Sequence, residues 1–411
     1  MMRVSTMRKV DRWFGVPACF TLTVCRRLFE AATPADVAEP TRIVFVKLAE
    51  QGSTVLASQA IRRAVNKVGA ENVYFLVFEE NRAILDAMAL LPERNVITIP
   101  TKTIGTAVAG AIRAIRRMRR ERIDTAIDLE FFARSSIALA YLSGARWRAA
   151  FHAYSGEASY RGDLATHRLS FNSRLHTSQT FEILVAALDH SPAGLPALDI
   201  QPRIDDTALP RFTPRSDDEH EVERLLGEVA GDRAGAPLVL LNANASDLLP
   251  LRRWPVARYV ELARCLIAKY PEVVVAFTGA PEESDSARQL VREVGSERCI
   301  SLAGRTTIPQ LLTLYARAQV LVTNDSGPAH FAALTTIDVV TLFGPETPVL
   351  FGALTPRNHA LWAGIACSPC VNAFNDRQSA CTNNICMQHI TVDQVFDAVC
   401  RTYDDRRRSG R

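Results

Sequence analysis

The chain has 411 residues, 48% of them hydrophobic and 22% charged, with a formal net charge of +4. That leaves room for two ordinary cores and carries too little positive charge to argue for a nucleic-acid partner. Nine cysteines, with Cys367, Cys370, Cys381 and Cys386 packed close together, do not make the pattern of a secreted disulfide scaffold.

Residues 1–40 stand apart from the rest. Arg3, Arg8, Lys9, Arg12, Arg26 and Arg27 flank Trp13, Phe14, Val16, Phe20, Leu22, Val24 and Leu28. A signal peptide would also begin basic, but this apolar run is interrupted by Pro17 and threonines and ends in Arg26-Arg27. It is also too short to span a bilayer. Two readings stay open: a basic amphipathic segment against the anionic inner face of a membrane, or a packed or disordered extension. Residues 33–40 read as a linker.

From Arg42 the pattern alternates. Strands are expected over 43–48, 73–78, 96–99 and 123–129. Between and after them come helices over 54–67 and 82–91, a long basic helix ending near 120, and one over 133–142. Residues 151–175 are polar and aromatic and read as a long functional loop. A helix over 177–189, a proline-bearing stretch over 191–215 and a charge-rich helix near 217–229 follow. The alternation then restarts, with strands over 238–241, 273–278, 299–302, 320–322 and 339–343 and helices over 256–269, 282–294 and 308–318. A final helix covers 390–403. Repeated strand–helix order in two blocks means two doubly wound α/β halves, which bind ligands at the carboxyl ends of their strands and in the cleft between halves. No GxGxxG opens either half and no GxxxxGKS/T occurs, so dinucleotide and P-loop readings lack their main support.

The strand ends of the second half carry the polar residues. The run over 320–322 passes through Thr323, Asn324, Asp325, Ser326 and Gly327 into a helix, with Asp325 or Ser326 as N-cap, Pro328 in the first turn and His330 beside it. Such a turn offers free N–H groups to phosphate. Asn242, Asn244 and Ser246 follow the first strand, Arg252-Arg253-Trp254-Pro255 opens the next helix, and Gly279-Ala280-Pro281-Glu282-Glu283 follows the next strand. An arginine can grip phosphate oxygens bidentately, and a carboxylate can hold a ribose or sugar hydroxyl; together these groups suit a nucleotide diphosphate.

These motifs, with Leu342-Phe343-Gly344-Pro345, the opening strand–loop–helix over 44–56 and the segment from Cys367-Ser368-Pro369-Cys370 to Cys386, resemble glycosyltransferase family 9, the lipopolysaccharide heptosyltransferases. The resemblance runs from about Arg42 to Val399. It implies the type B glycosyltransferase fold: two Rossmann-like, doubly wound α/β domains facing a cleft. On that reading residues 1–40 are the basic extension and linker, and 41–215 the acceptor domain. Residues 216–390 are the nucleotide-sugar donor domain with the cysteine cluster, and 391–411 the terminal helix and basic tail. The implied activity is inverting, metal-independent transfer of a sugar, typically heptose from ADP-heptose, to a lipid-linked saccharide in lipopolysaccharide or cell-envelope synthesis. It would take place in the cytoplasm, on the inner face of the inner membrane, with no catalytic cofactor and no nucleic-acid partner.

By position, the resemblance makes Arg252 the diphosphate-binding basic residue and Asp325, Ser326, Gly327 and His330 the donor-binding turn. Asn242, Asn244 and Ser246 would line the pocket, and Glu282, with Glu283 as alternative, would meet the ribose. One departure concerns the base. The family's first loop carries Gly-Asp, whereas here Gly52 precedes Ser53. A serine hydroxyl takes no proton at neutral pH without a base of its own. Glu50, in the same loop, is the favoured replacement and Asp128 the second candidate. A chain that lost its base would remain a nucleotide-sugar-binding or scaffold protein, and an epimerase of a nucleotide sugar on the same fold is a further alternative. Cys367, Cys370, Cys381 and Cys386 have spacing for a structural zinc with no open position; reduced packing cysteines or a disulfide are the alternatives.

Overall fold

The computed structural model describes residues 4–30, 36–154, 156, 159–204, 209–245 and 249–409, with only the backbone of 4–10. It divides into two compact units. Unit 1 comprises residues 1–208 and 372–378, and unit 2 comprises 209–371 and 379–411. The division falls at 208/209 rather than at the expected 215/216. The excursion over 372–378, inside the cysteine-rich segment, belongs to unit 1, which no local pattern announced.

Unit 1 contains α1 (Val4–Phe29), β1 (Ile43–Val46), α2 (Gln51–Leu56), α3 (Ser58–Val68), β2 (Val73–Phe78), α4 (Arg82–Met88) and β3 (Val96–Ile99). It continues with α5 (Ile104–Arg120), β4 (Thr125–Asp128), α6 (Arg134–Leu142), β5 (Trp147–Phe151), β6 (His167–Leu169) and α7 (Thr177–Ala186). Its strands form one parallel sheet in the order β3-β2-β1-β4-β5-β6. Right-handed crossovers put α3 and α4 on one face and α5 and α6 on the other. β1 is buried throughout, as a central parallel strand must be. Thr103 caps α5 through Thr106, and Gly110, Ala114 and Met118 form its buried side.

One expectation changes here, and one of the two open readings of the N-terminal segment, a packed extension, is what the structure shows. The region 151–175 is not all loop, since 167–169 adds the sixth strand; its alternation was too short to stand out. The N-terminal segment is one helix running through Pro17, and it is docked on α6. Asp11 accepts hydrogen bonds from the Arg134 and Ser135 amides, so the carboxylate of one helix caps the start of another. Arg26 pairs with Asp163, and the Asp163 amide donates to Thr23 Oγ1 at 2.9 Å. Gly162, at φ +68°, lets this chain approach: a Cβ there would lie 2.8 Å from the Cys19 carbonyl oxygen.

Unit 2 contains α8 (Ser216–Ala230), β7 (Leu238–Asn242), α9 (Val256–Lys269), β8 (Val274–Phe277), α10 (Ser284–Val294), β9 (Cys299–Ser301), α11 (Ile308–Arg317) and β10 (Val320–Asn324). It ends with α12 (Gly327–Ala332), β11 (Asp338–Phe343), α13 (Pro348–Phe351), β12 (Asn358–Trp362), α14 (Ile385–Gln388) and α15 (Val392–Arg408). All pairings are parallel, in the order β12-β11-β10-β7-β8-β9. β12 lies at the sheet edge and is largely exposed, which explains why its residues carry no strand-like apolar run. One core gathers Trp254, Tyr259, Leu262 and Leu266 of the α9 region, strand residues such as Val322 and Leu342, and Val395, Val399 and Tyr403 of α15. The terminal helix is thus part of unit 2 rather than a separate appendage.

Candidate functional site

In unit 1 the carboxyl end of β1 runs into a dense ionic cluster. Glu50 adopts φ 69°, ψ 80°, a left-handed conformation costly for a residue with a side chain. Lys47, only 1% exposed, donates to Glu50 Oε2 at 3.1 Å and Glu130 Oε2 at 3.0 Å. Burial works against its charge, but the Glu130 and Glu50 carboxylates outweigh it and raise its pKa above the ordinary lysine value. The other oxygen of Glu130 accepts from the Leu48 and Ala49 amides and so shapes the loop. Arg377, from the 372–378 excursion, pairs with Glu50 Oε1. Phe374 of the same excursion stacks on Phe132 at 5.8 Å between ring centroids. Ser53, 7% exposed, donates its hydroxyl to Glu50 Oε2 at 3.2 Å. Glu50 and Ser53 therefore act as one constellation.

Asp128 does not join it. It is fully buried, pairs with Arg161, and accepts from Ser136 Oγ at 2.9 Å and the Glu130 amide at 3.0 Å. Burial lifts its carboxyl to about 6 despite the Arg161 charge. Arg161 is itself held by the Ala133, Phe131 and Phe151 carbonyls. A carboxylate paired in this way ties β4 to the segments that follow it. Residue type and strand-end position made Asp128 a candidate; the structure sets it apart from the Glu50 cluster, in a buried pair with Arg161.

Unit 2 gathers its polar side chains at the carboxyl ends of β7, β10 and β11. Asn324 is buried and ties three segments together. Its Oδ1 accepts from the Trp254 amide and the Tyr259 hydroxyl, and its Nδ2 donates to the Asn244 carbonyl. Asn242 donates to the Thr278 carbonyl at 3.2 Å, which makes it a brace between strands. Arg252 Nη1 lies 3.8 Å from Asp325 Oδ2 and 3.6 Å from Glu346 Oε2. Both carboxylates are buried, as is His330 on α12. Arg253 instead turns to the Ala245 carbonyl. Ser326 takes the N-cap position of α12, but its hydroxyl bonds the Asn324 carbonyl rather than the helix. Gly327 opens that helix, which has only six residues. Glu282 is exposed, whereas Glu283 folds back to accept from the Ala280 amide at 2.7 Å. Burial raises the Glu283 carboxyl above its ordinary value, against hydrogen bonds from Ala280 and Asn244. Ser246 lies outside the described residues.

Glu130, Arg377 and Glu346 were not singled out from sequence. Glu346 directly follows the Phe343-Gly344-Pro345 turn, and Glu130 sits two residues past a strand-end aspartate, so strand-end position was the available signal. Arg377 gave none. The four clustered cysteines are near one another, close enough that the other three help raise the Cys386 thiol, after burial. Yet Cys381 Sγ donates to the Asn383 carbonyl at 3.1 Å, and Cys370 Sγ accepts from Ser379 at 3.5 Å. Among the described residues no group of three or more His, Cys, Asp or Glu side chains converges as metal ligands would. A cavity of about 630 Å³ lined by Thr41, Arg42, Asn72, Arg120 and Arg122 sits at the amino-terminal end of the first sheet, away from these strand ends.

The family model for glycosyltransferase family 9 (heptosyltransferase) matches residues 111–380. Lipooligosaccharide heptosyltransferase 2 of Haemophilus influenzae is 27% identical over 269 residues, 64% of this chain and 72% of that protein. The solved E. coli ADP-heptose lipopolysaccharide heptosyltransferase II superposes with a TM-score of 0.65 at 17% identity, covering 89% of this chain and 99% of that one. A family 9 glycosyltransferase from Veillonella parvula gives 0.69, also at 17% identity, over 90% and 99%. Such structures share the fold, the two Rossmann-like domains of type B glycosyltransferases. With the family model covering more than half of its length, the chain belongs to glycosyltransferase family 9, the heptosyltransferase family, and is a glycosyltransferase.

Proposed function

We propose that this enzyme moves a heptose from ADP-heptose to a hydroxyl of a lipid-linked saccharide. Transfer inverts the anomeric carbon and uses no metal at the reacting centre, in lipopolysaccharide or cell-envelope synthesis at the cytoplasmic face of the inner membrane. The observation that carries the reading is the Arg252–Asp325–Glu346 cluster at the strand ends of unit 2. Two carboxylates hold the guanidinium in place, and its planar fork of N–H donors is the geometry that suits diphosphate oxygens. Asp325 and Glu346 then accept from sugar hydroxyls. The ADP-heptose named for the solved heptosyltransferase II supports the choice of donor.

In unit 1, Glu50 Oε2 takes the proton of the acceptor hydroxyl as that oxygen attacks the anomeric carbon. The bond from this carbon to the diphosphate breaks, and its electron pair leaves on the diphosphate. Arg252 and His330 offset the negative charge that grows there. Ser53, bonded to the same Glu50 oxygen, orients it. A structural zinc on Cys367, Cys370, Cys381 and Cys386 is a separate proposal. It requires Cys370 and Cys381 to leave their present contacts, and one zinc per chain, lost in Cys370→Ser, is its test.

The decisive assay incubates the purified chain with a panel of nucleotide sugars and a lipid–saccharide extract. Heptose transfer from ADP-heptose that disappears in Glu50→Gln supports the assignment. Preference for another nucleotide sugar replaces the donor, and binding without transfer to any acceptor refutes the reaction.

A further inference from the structure

The hydrophobic effect is inverted on the outer helices of unit 1. On α1 the side toward the protein is small or polar: Cys19, Thr23 and Arg26 are buried there. Its large apolar residues point away. Trp13 is 73% exposed, Phe20 61% and Leu28 71%, and Val24 between them is exposed as well. Spacings of seven, four and four residues keep these four on one stripe of a helix. α5 repeats the arrangement. Gly110 and Ala114 are buried, whereas Ile104 and Val108, each 54% exposed, and Ile112, at 44%, form an outward stripe. Both helices pack against α6, and the right-handed crossovers put α5 and α6 on the same sheet face, so both stripes lie on helices that flank α6 on that side of unit 1. Scattered exposed apolar residues need no explanation, but ordered stripes on two helices that flank the same α6 do.

Charge identifies what covers them. Arg12 and Arg27 border the α1 stripe, and Arg113, Arg116 and Arg120 border that of α5, all exposed. The acidic Asp11 is occupied by the α6 amides. Aromatic and aliphatic stripes rimmed by arginine are complementary to the acyl–headgroup boundary of an anionic bilayer, where the apolar groups enter and the guanidinium groups meet the headgroup charge. No described helix is long and apolar enough to cross a membrane, so the contact would be in the interface plane.

We propose that α1 and α5 together form a lipid-docking face that seats unit 1 on an anionic membrane, with Trp13, Phe20 and Leu28 entering the interface and the α5 arginines held at the headgroups. This deepens the reading of a lipid-linked acceptor, yet vesicle binding is measured without any turnover, so either idea can fail alone. The test is co-sedimentation of the full chain with phosphatidylcholine vesicles and with vesicles of equal parts phosphatidylcholine and phosphatidylglycerol. The expected result is binding to the anionic vesicles only, weakened by salt. Partitioning should fall about tenfold or more in Trp13→Ser/Phe20→Ser and in Arg113→Glu/Arg116→Glu. These side chains are exposed, so thermal unfolding should match the parent and exclude misfolding as the cause. No binding to anionic vesicles, or binding indifferent to both variants, overturns the proposal. So does a parent that is oligomeric in solution and becomes monomeric in Trp13→Ser/Phe20→Ser, which would give the face to a second copy.

Discussion

Replacing Asp128 by Asn tests whether that carboxylate is structural, and the sign of the effect depends on pH. Burial raises the Asp128 carboxyl from 3.8 to about 6 in the folded chain. Its contribution to stability is therefore fully present below 3.8 and lost as pH rises through about 6. The distance between those two values is worth about 3 kcal/mol. His167, buried against Trp147, moves the other way, from 6.5 down to about 4. Its contribution is present above 6.5 and lost as pH falls through about 4, again about 3 kcal/mol. Between pH 6.5 and 4 the two nearly cancel in the parent.

Asp128→Asn removes one side of that balance. Turning an amide toward Arg161 adds a cost that does not vary with pH, but the slope is set by proton linkage alone. The variant should lose about 3 kcal/mol more than the parent on going from pH 6.5 to 4. His167→Phe should instead gain about the same amount over that range. The measurement is urea denaturation at a series of pH values, with hydrogen exchange of the 125–128 amides as local readout. Parallel curves for Asp128→Asn and the parent would refute the buried-carboxyl account. Transfer activity per folded molecule should be unchanged in Asp128→Asn, and its loss in a fully folded variant would return Asp128 to the catalytic machinery.

Glu50→Gln should lower kcat about 100-fold or more with the donor KM little changed, since only proton acceptance is removed. Ser53→Ala should cost about tenfold at most, one orienting hydrogen bond being worth about 1 kcal/mol. Arg252→Ala should raise the donor KM about 10- to 100-fold, the range expected for one charge-assisted contact, with the effect checked by ADP titration as well as turnover. Glu346→Gln should tighten ADP binding by releasing Arg252 while weakening selection among nucleotide sugars, measured with the same panel. Arg377→Ala should shift the pH profile of kcat without abolishing transfer, because it removes one cation from Glu50; an unchanged profile would make that pair merely structural.

The parallel sheets were legible because their central strands are short, wholly apolar runs separated by helical periodicity, and burial on both faces leaves no other composition workable. The polar turns at the strand ends of unit 2 were legible because capping and turn residues break the apolar runs there, as at Asp325 and Ser326. Family likeness in those same turns extended the reading to the kind of reaction. Burial and long-range pairing were not legible. Asp128 and Glu50 are both carboxylates near strand ends, and only packing shows that one is sealed beneath Arg161 while the other meets Ser53, Lys47 and Arg377. Arg377 is 327 residues from Glu50 in the chain, so no local spacing announces their contact. The N-terminal helix divides the same way. Its basic, aromatic composition is written in the sequence, but which stripe faces the protein is decided by Asp11, Thr23, Cys19 and Arg26 finding partners on α6 and near Asp163, an outcome that helical periodicity alone would have reversed.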